Sequence, residues 1–392
     1  MCGQSLRLGQ RILYGVEVYR FMSKRTTILL LIPHLGGGGA ERVIELLARH
    51  LSSEKYEIHL CLVTQSDIGY APLPNHVIVH ILGAKRVRRG ALRLFLLIWS
   101  LRPGVILSGI SHLNLLVLLL CPFLPSKTKI FVRQNGPVAA TLTIPTSSRV
   151  LHRLHRSLYR CADGIICQSQ SMAQEVSEFT SIPLESLSVL PNPIDIDVIR
   201  SLSKGPTDGW TDPGPHLLAI GRLSREKGFD LLLKAFAKVR LRFPTADLAI
   251  AGAGPEKARL QALCETVGLD RAVRFLGQVE SPASRFPGAS LIVTSSRYEG
   301  VANVLLEAAA GGLPIVAVPA SPGLVELLND KPGVWLAREI SAEALAVALT
   351  AALETIRPGE RFAHPWIEKF RLERAIPAYE ELLNARPRKS RT

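Results

Sequence analysis

The feature that most restricts the fold is an alternation, repeated twice along the chain, of short unbroken apolar runs with longer stretches of helical period. Apolar runs without polar alternation suit strands buried on both faces, and a helical stretch between each pair suits the crossover that parallel strands require. In the first half the strand runs fall at 27–33, 57–63, 77–81, 104–108, 129–132 and 164–167, with helices near 40–51, 90–101, 111–121, 147–161 and 171–179. A second set has strands near 216–220, 247–251, 273–276, 290–293, 314–317 and 333–336, and helices near 228–243, 255–267, 303–311, 322–328 and 341–354. Between them, residues 191–214 are dense in Pro, Gly and Asp and resist any regular element. The chain thus divides into an extension at 1–25, an α/β domain at 26–195, a linker at 196–214, a second α/β domain at 215–365, and a closing helix near 366–384 with a basic tail to residue 392.

Two such domains leave a cleft bounded by the carboxyl ends of both sheets, where open parallel sheets bind ligands. Charge says what kind of ligand. Of the formal +14, most lies in residues 1–200, where 22 Lys and Arg face 12 Asp and Glu. An anionic partner is expected: a phosphorylated substrate, a bilayer surface or a nucleic acid. Lys85, Arg86, Arg88, Arg89 and Arg93 precede an apolar stretch containing Trp99, a pattern that fits an anionic membrane surface. A second basic run, Arg149 to Arg160, strengthens that reading. Neither run interleaves aromatics for base stacking, so nucleic acid is not expected. Residues 1–25 hold no unbroken apolar segment of the secretory kind. The uncharged stretch from Pro103 to Ser126 is cut by Pro103, Gly104 and Pro122, so it reads as strand, turn and buried helix instead of a span. Six widely spaced cysteines without a CxxC pair suggest a reducing cytoplasm.

Three strand-to-helix turns bear the chemistry. Gly36 to Gly39 open a helix where backbone N–H groups can approach an anion, although Arg42 stands where a dinucleotide fingerprint needs its third glycine. In GlyArgLeuSerArgGluLysGly at 221–228, Arg222 and Lys227 converge on a helix amino end, as a diphosphate would require. In the third turn Glu299 precedes Glu307 by eight positions, and the AlaAlaAla run after Glu307 places that carboxylate in apolar surroundings where it needs hydroxyl or amide donors. His112, after a first-domain strand, is a site candidate or a structural histidine; Arg133 and Asn135 are weaker candidates for the acceptor side of the cleft.

In order and spacing, GlyGlyGlyGlyAlaGluArgVal at 36–43, GlyArgLeuSerArgGluLysGly at 221–228, AlaGlyAlaGlyProGlu at 251–256, ValArgPheLeuGly at 273–277 and the pair Glu299 and Glu307 resemble the retaining GT-B glycosyltransferases of family 4 (glycosyl transferases group 1). The resemblance spans about residue 26 to residue 384. It implies two Rossmann-like domains facing a central cleft, the first for the acceptor and the second for a nucleotide sugar, with the C-terminal helix crossing back to the first. It implies transfer of a hexose or N-acetylhexosamine, from a UDP-sugar by preference or a GDP-sugar, to a lipid-linked or saccharide acceptor of a bacterial surface glycan, without metal or further cofactor. By the same resemblance Arg222 and Lys227 hold the diphosphate, Glu307 the ribose, and Glu299 and Gly300 the transferred sugar. Gly38, Gly39, Gly254 and the N–H groups of Asn303 and Val304 complete the cradle, Arg274 and Leu276 flank the base, and His112 lies near the sugar or acceptor. The common GluGlyPheProAsn reads GluGlyValAlaAsn at 299–303, which is expected to alter the wall beside the sugar. A nucleotide-sugar epimerase of similar fold and a basic nucleic-acid-binding protein are the competing readings.

Overall fold

Thr26–Ile32 (β1) buries five consecutive side chains, Ile28 to Ile32, because it runs through the middle of a parallel sheet covered on both faces. It pairs with Tyr56–Leu62 (β2) and Val105–Ser108 (β4); Val77–Ile81 (β3), Lys129–Arg133 (β5), Gly164–Cys167 (β6) and Leu187–Val189 (β7) complete the order β3-β2-β1-β4-β5-β6-β7. The second sheet comprises His216–Ile220 (β8), Asp247–Ala251 (β9), Val273–Gly277 (β10), Leu291–Thr294 (β11), Ile315–Ala317 (β12) and Val334–Leu336 (β13), in the order β10-β9-β8-β11-β12-β13. Both are wound outward from an internal strand, so a crevice opens at β1/β4 in one and β8/β11 in the other. This computed structural model describes residues 25–385 apart from 36–37, 65–71, 85–86, 139–148, 206–209, 211–213, 280 and 358. Lys85, Arg86, the 1–24 part of the extension and the tail from 386 therefore lie outside the described residues.

The helices are Gly39–His50 (α1), Ala91–Leu101 (α2), Ser111–Leu120 (α3), Arg149–Tyr159 (α4), Gln170–Thr180 (α5), Ile196–Leu202 (α6), Phe229–Arg240 (α7), Lys257–Thr266 (α8), Asn303–Ala310 (α9), Pro322–Leu328 (α10), Ala342–Thr355 (α11) and Leu372–Asn384 (α12). Among the described residues no helix is long and apolar enough to cross a membrane. Helix α12 does cross back to the first sheet, where Ile376, Tyr379 and Leu383 pack with Ile28, Leu30, Val43 and Tyr56. Its buried Glu380 accepts from the Ser52 N–H at 2.8 Å and from Lys55 Nζ at 2.5 Å, so the helix is held by directed bonds as well as by apolar area.

Three details depart from the sequence reading. Strand β7 escapes it because LeuSerVal is too short to show a period. The 191–214 stretch is not wholly irregular: Asp195 caps α6 by accepting from the Val198 N–H at 3.1 Å, and Ile196 and Ile199 join the second core. The closing helix begins at Leu372, not 366, because Arg371 is extended where it pairs with Ile194. Here the two connections between the sheets run side by side, with the Ile194 N–H on the Phe370 carbonyl at 2.8 Å. Arg371 binds Asp197 and Glu368, each at 2.8 Å, and Arg200 binds Glu368 at 3.0 Å.

Glu380→Ala leaves the Ser52 N–H and the α12 interface without their partner. It is expected to lower stability by about 1–3 kcal/mol in urea unfolding and to expose the C-terminal helix to limited proteolysis.

Candidate active site between the two sheets

Helices α1 and α9 point their amino ends at the same place. Gly38 precedes α1 and Ala302 precedes α9, and neither gives a side-chain cap, so N–H groups of both first turns are left for something else to satisfy. The two ends touch: Asn303 Nδ2 donates to the Gly39 carbonyl at 2.6 Å. A Cβ on Gly39 would stand 3.1 Å from that amide, a tight fit that Asn303 would have to give way to. Glu41 folds its carboxylate over Gly38, where a Cβ would meet Glu41 Oε2 at 2.1 Å. Two uncapped helix ends present N–H donors and positive dipole ends at one place, the arrangement that binds anions.

The 221–228 turn brings Lys227 to the segment that leads into α9. Arg222 is exposed, with no ion-pair partner among the described residues. Lys227 Nζ pairs with Glu299 Oε2 at 2.5 Å, and Ser296 Oγ donates to the same oxygen at 3.0 Å, so two residues predicted separately stand in one ion pair. The turn is fixed from behind by a pair the sequence reading missed. Arg297 grips Asp230 through two bonds of 2.8 and 2.7 Å and donates to the Arg225 carbonyl at 2.8 Å, and its hydrogen bonds hold the Asp230 carboxyl below the usual carboxylate range. Gly228 has φ +63°, and a Cβ there would lie 2.0 Å from the Ser295 carbonyl oxygen. Gly254 lies against the Leu223 backbone, where a Cβ would be 2.3 Å from its oxygen, so it shapes the turn.

Glu307, one turn into α9, is buried, and its Oε2 has no hydrogen-bond partner among the described residues. Burial raises its pKa to about 7, against the pull of Arg42. An orphaned carboxylate oxygen beside an anion cradle fits a hydroxyl-bearing ligand. Arg42 belongs to this site although the sequence reading used it only to reject a dinucleotide fingerprint. It follows Gly39 by three positions, as Glu307 follows Asn303 by four, and Glu45 Oε2 steadies it at 3.2 Å.

The remaining predicted residues separate. His112 is exposed in the first turn of α3; the surrounding protein and the neighbouring His34 hold its imidazole below the usual range. Leu276 is exposed near the carboxyl end of β10. Arg274 is not on the cleft: at the amino end of β10 it binds Asp247 at 3.0 Å and lies over the Trp210 ring at 5.0 Å, so it does not flank a base. Arg133 and Asn135 do not present themselves to an acceptor. Arg133 is 0% exposed, and Asn135 is spent on Arg133, the Gly109 carbonyl and Gln168. Gly300 has no room for a side chain, since a Cβ would lie 2.4 Å from the Asn135 carbonyl oxygen across the cleft. Val301 and Ala302, where the common sequence has Phe and Pro, are buried in the second core. Arg93 is exposed and donates to the Leu82 carbonyl.

Two family models match the chain: Glycosyltransferase Family 4 over residues 37–198 and Glycosyl transferases group 1 over residues 208–365. The uncharacterized glycosyltransferase MJ1059 of Methanocaldococcus jannaschii is 30% identical over 186 residues, 46% of this chain and 46% of that protein, so the matched stretch spans less than half of that relative. The amylovoran biosynthesis glycosyltransferase AmsD of Erwinia amylovora is 25% identical over 77% of this chain and 84% of its own length. The crystal structure of Anabaena HepE in complex with UDP and glucose superposes with a TM-score of 0.74 at 17% identity, covering 92% of this chain and 100% of that one, a likeness of fold.

A carboxyl whose pKa is raised on folding favours the native state at low pH and loses that contribution as pH climbs from the unfolded value, 4.5, through about 7. Glu307→Gln is therefore expected to flatten the pH dependence of the urea midpoint between pH 5 and 8 and to stabilise the unliganded protein at pH 8 by up to about 3 kcal/mol. An unchanged pH profile in the variant would contradict the assignment.

Proposed function

The chain belongs to the GT-B glycosyltransferases of family 4, and we propose that it is a retaining enzyme that moves a hexose or N-acetylhexosamine from a UDP-sugar to a saccharide of a bacterial surface glycan. The observation that carries this reading is the meeting of two uncapped helix ends, joined by Asn303 to Gly39, with the orphaned Glu307 carboxylate one turn along α9 and Lys227 paired to Glu299 just before it. A diphosphate satisfies the first group and a ribose diol the second. The UDP and glucose in the HepE structure and the amylovoran role of AmsD support the donor and the product class.

Binding rearranges one contact. A donor phosphate competes for Lys227, and Glu299, released from its 2.5 Å ion pair, becomes free to accept from a hydroxyl of the sugar. In the transfer step the bond from the anomeric carbon to the phosphate oxygen breaks with its electron pair going to the diphosphate. The acceptor oxygen then bonds to that carbon on the same face, and its proton passes to the departing phosphate. Arg222, Lys227 and the N–H groups of Asn303 and Val304 stabilise the charge that develops, which is where such sites gain most of their rate. We assign this charge stabilisation to the protein's own cations and helix ends, without a metal. His112 stands at the acceptor side.

The acceptor is proposed to be lipid-linked, with the first domain resting on an anionic bilayer. Leu92, Leu96 and Trp99 form an exposed stripe on α2, Leu119 and Phe123 continue it, and Trp99 Nε1 donates to the Phe123 carbonyl at 3.0 Å. Arg88 and Arg89 flank the stripe.

Two measurements test the proposal. UDP and UDP-sugars are expected to raise the melting temperature of the wild type and to do so far less in Arg222→Ala and Glu307→Ala. Arg222→Ala should cost transfer about a hundredfold. No shift with any nucleotide would defeat the donor assignment. Co-sedimentation with phosphatidylglycerol vesicles is expected for the wild type and not for Leu96→Glu combined with Phe123→Ser; equal sedimentation of both would defeat the docking assignment.

A further inference from the structure

Among the described residues Arg133 is the largest fully buried side chain, and none of their carboxylates lies within ion-pair distance of it. Such a cation is costly unless its donors are used. Its donors go to neutral oxygens instead: Nε to the Tyr379 hydroxyl at 3.2 Å, one terminal nitrogen to Asn135 Oδ1 and the other to Asn192 Oδ1. The group therefore touches α12, the end of β5 and the connection between the sheets at once.

The contact with Asn192 has a direction. A guanidinium donates and cannot accept, so Asn192 must present its oxygen to Arg133 and its NH2 away from it. That NH2 donates to Asn303 Oδ1 at 2.5 Å, which leaves the Asn303 NH2 to donate to the Gly39 carbonyl at 2.6 Å. Each amide's orientation is thus set by the cation behind it. Positive ends point toward the meeting place of α1 and α9, and aligned hydrogen bonds of this kind polarise one another.

We infer that Arg133 is a positioning residue of the transfer reaction: through Asn192 it orients Asn303, and thereby joins the amino ends of α1 and α9 into one cradle before any donor arrives. The inference rests on the donor site proposed above. Arg133 itself touches no substrate.

Asn192→Asp separates this role from simple support. The variant keeps an oxygen for Arg133 and gives the buried cation a counter-ion, but it loses the NH2. Asn303 must then turn its own NH2 toward residue 192 and set its oxygen against the Gly39 carbonyl. Hydrogen exchange followed by mass spectrometry on the unliganded protein is expected to show about tenfold faster exchange in peptides covering 38–47 and 301–309, with the melting temperature held. UDP, titrated by calorimetry, should bind about tenfold more weakly. Asn303→Asp, a favourable residue at a helix start, is expected to speed exchange at 38–47 while α9 stays protected.

Unchanged exchange at both helix ends in Asn192→Asp overturns the inference. So does faster exchange with UDP affinity equal to the wild type, since the relay would then order the helices without serving the cradle. Should Asn192→Asp fold poorly, normal protection of 38–47 in Asn303→Asp overturns it alone. Failure of the wild type to take up UDP would count against the donor reading, and the exchange experiment, which needs no ligand, would still decide the relay.

Discussion

Helix ends of like partial charge repel, and this protein aims two of them at one point. Helix α1 comes from the first sheet and α9 from the second, and neither has a side chain to cap it. The arrangement persists because other parts of the molecule oppose the repulsion. Glu41 leans over Gly38, Asn303 spans the gap to Gly39, and Gly300 and Val301 press their backbone against Asn135 and Gln168. The cleft is accordingly a place where the protein holds unsatisfied donors together, at a cost that an arriving anion offsets.

Glu307 belongs to the same economy of unmet needs. A carboxylate in apolar surroundings with an oxygen that no donor reaches destabilises the free protein, and apolar packing of α9 on the second core absorbs that cost. The Lys227–Glu299 pair is the complementary case, two charges that satisfy one another at rest and are available for exchange.

The order of strands and helices was legible because parallel strands buried on both faces leave unbroken apolar runs, as ThrIleLeuLeuLeuIle at 27–32 does. Arg222, Lys227, Glu299 and Glu307 were legible because charges at strand-to-helix turns beside apolar helices have few structural uses. What escaped notice depends on contacts between residues far apart in the chain. Asn192 sits in a Pro-rich stretch that reads as linker, and Arg42 serves in the sequence only to rule out a dinucleotide fingerprint until α9 is placed near it. Arg133, at the end of a strand, carries the same outward signature as a ligand-facing residue; only Tyr379, 246 positions away, shows that it points into the protein. Arg274 misled in the opposite sense, because a motif fixes a residue's strand but not which end of the sheet its side chain serves.

The crossing of α12 has a consequence for biosynthesis. The apolar layer formed by Ile28 and Leu30 of β1 with Val43 of α1 is completed by Ile376, Tyr379 and Leu383, which are made long after it. Until then the amino-terminal half has an uncovered apolar surface and Arg133 lacks its Tyr379 partner, while the last strand of the second sheet is complete at Leu336. The sheet made first is therefore completed only after the strands of the second have been made, when α12 covers it.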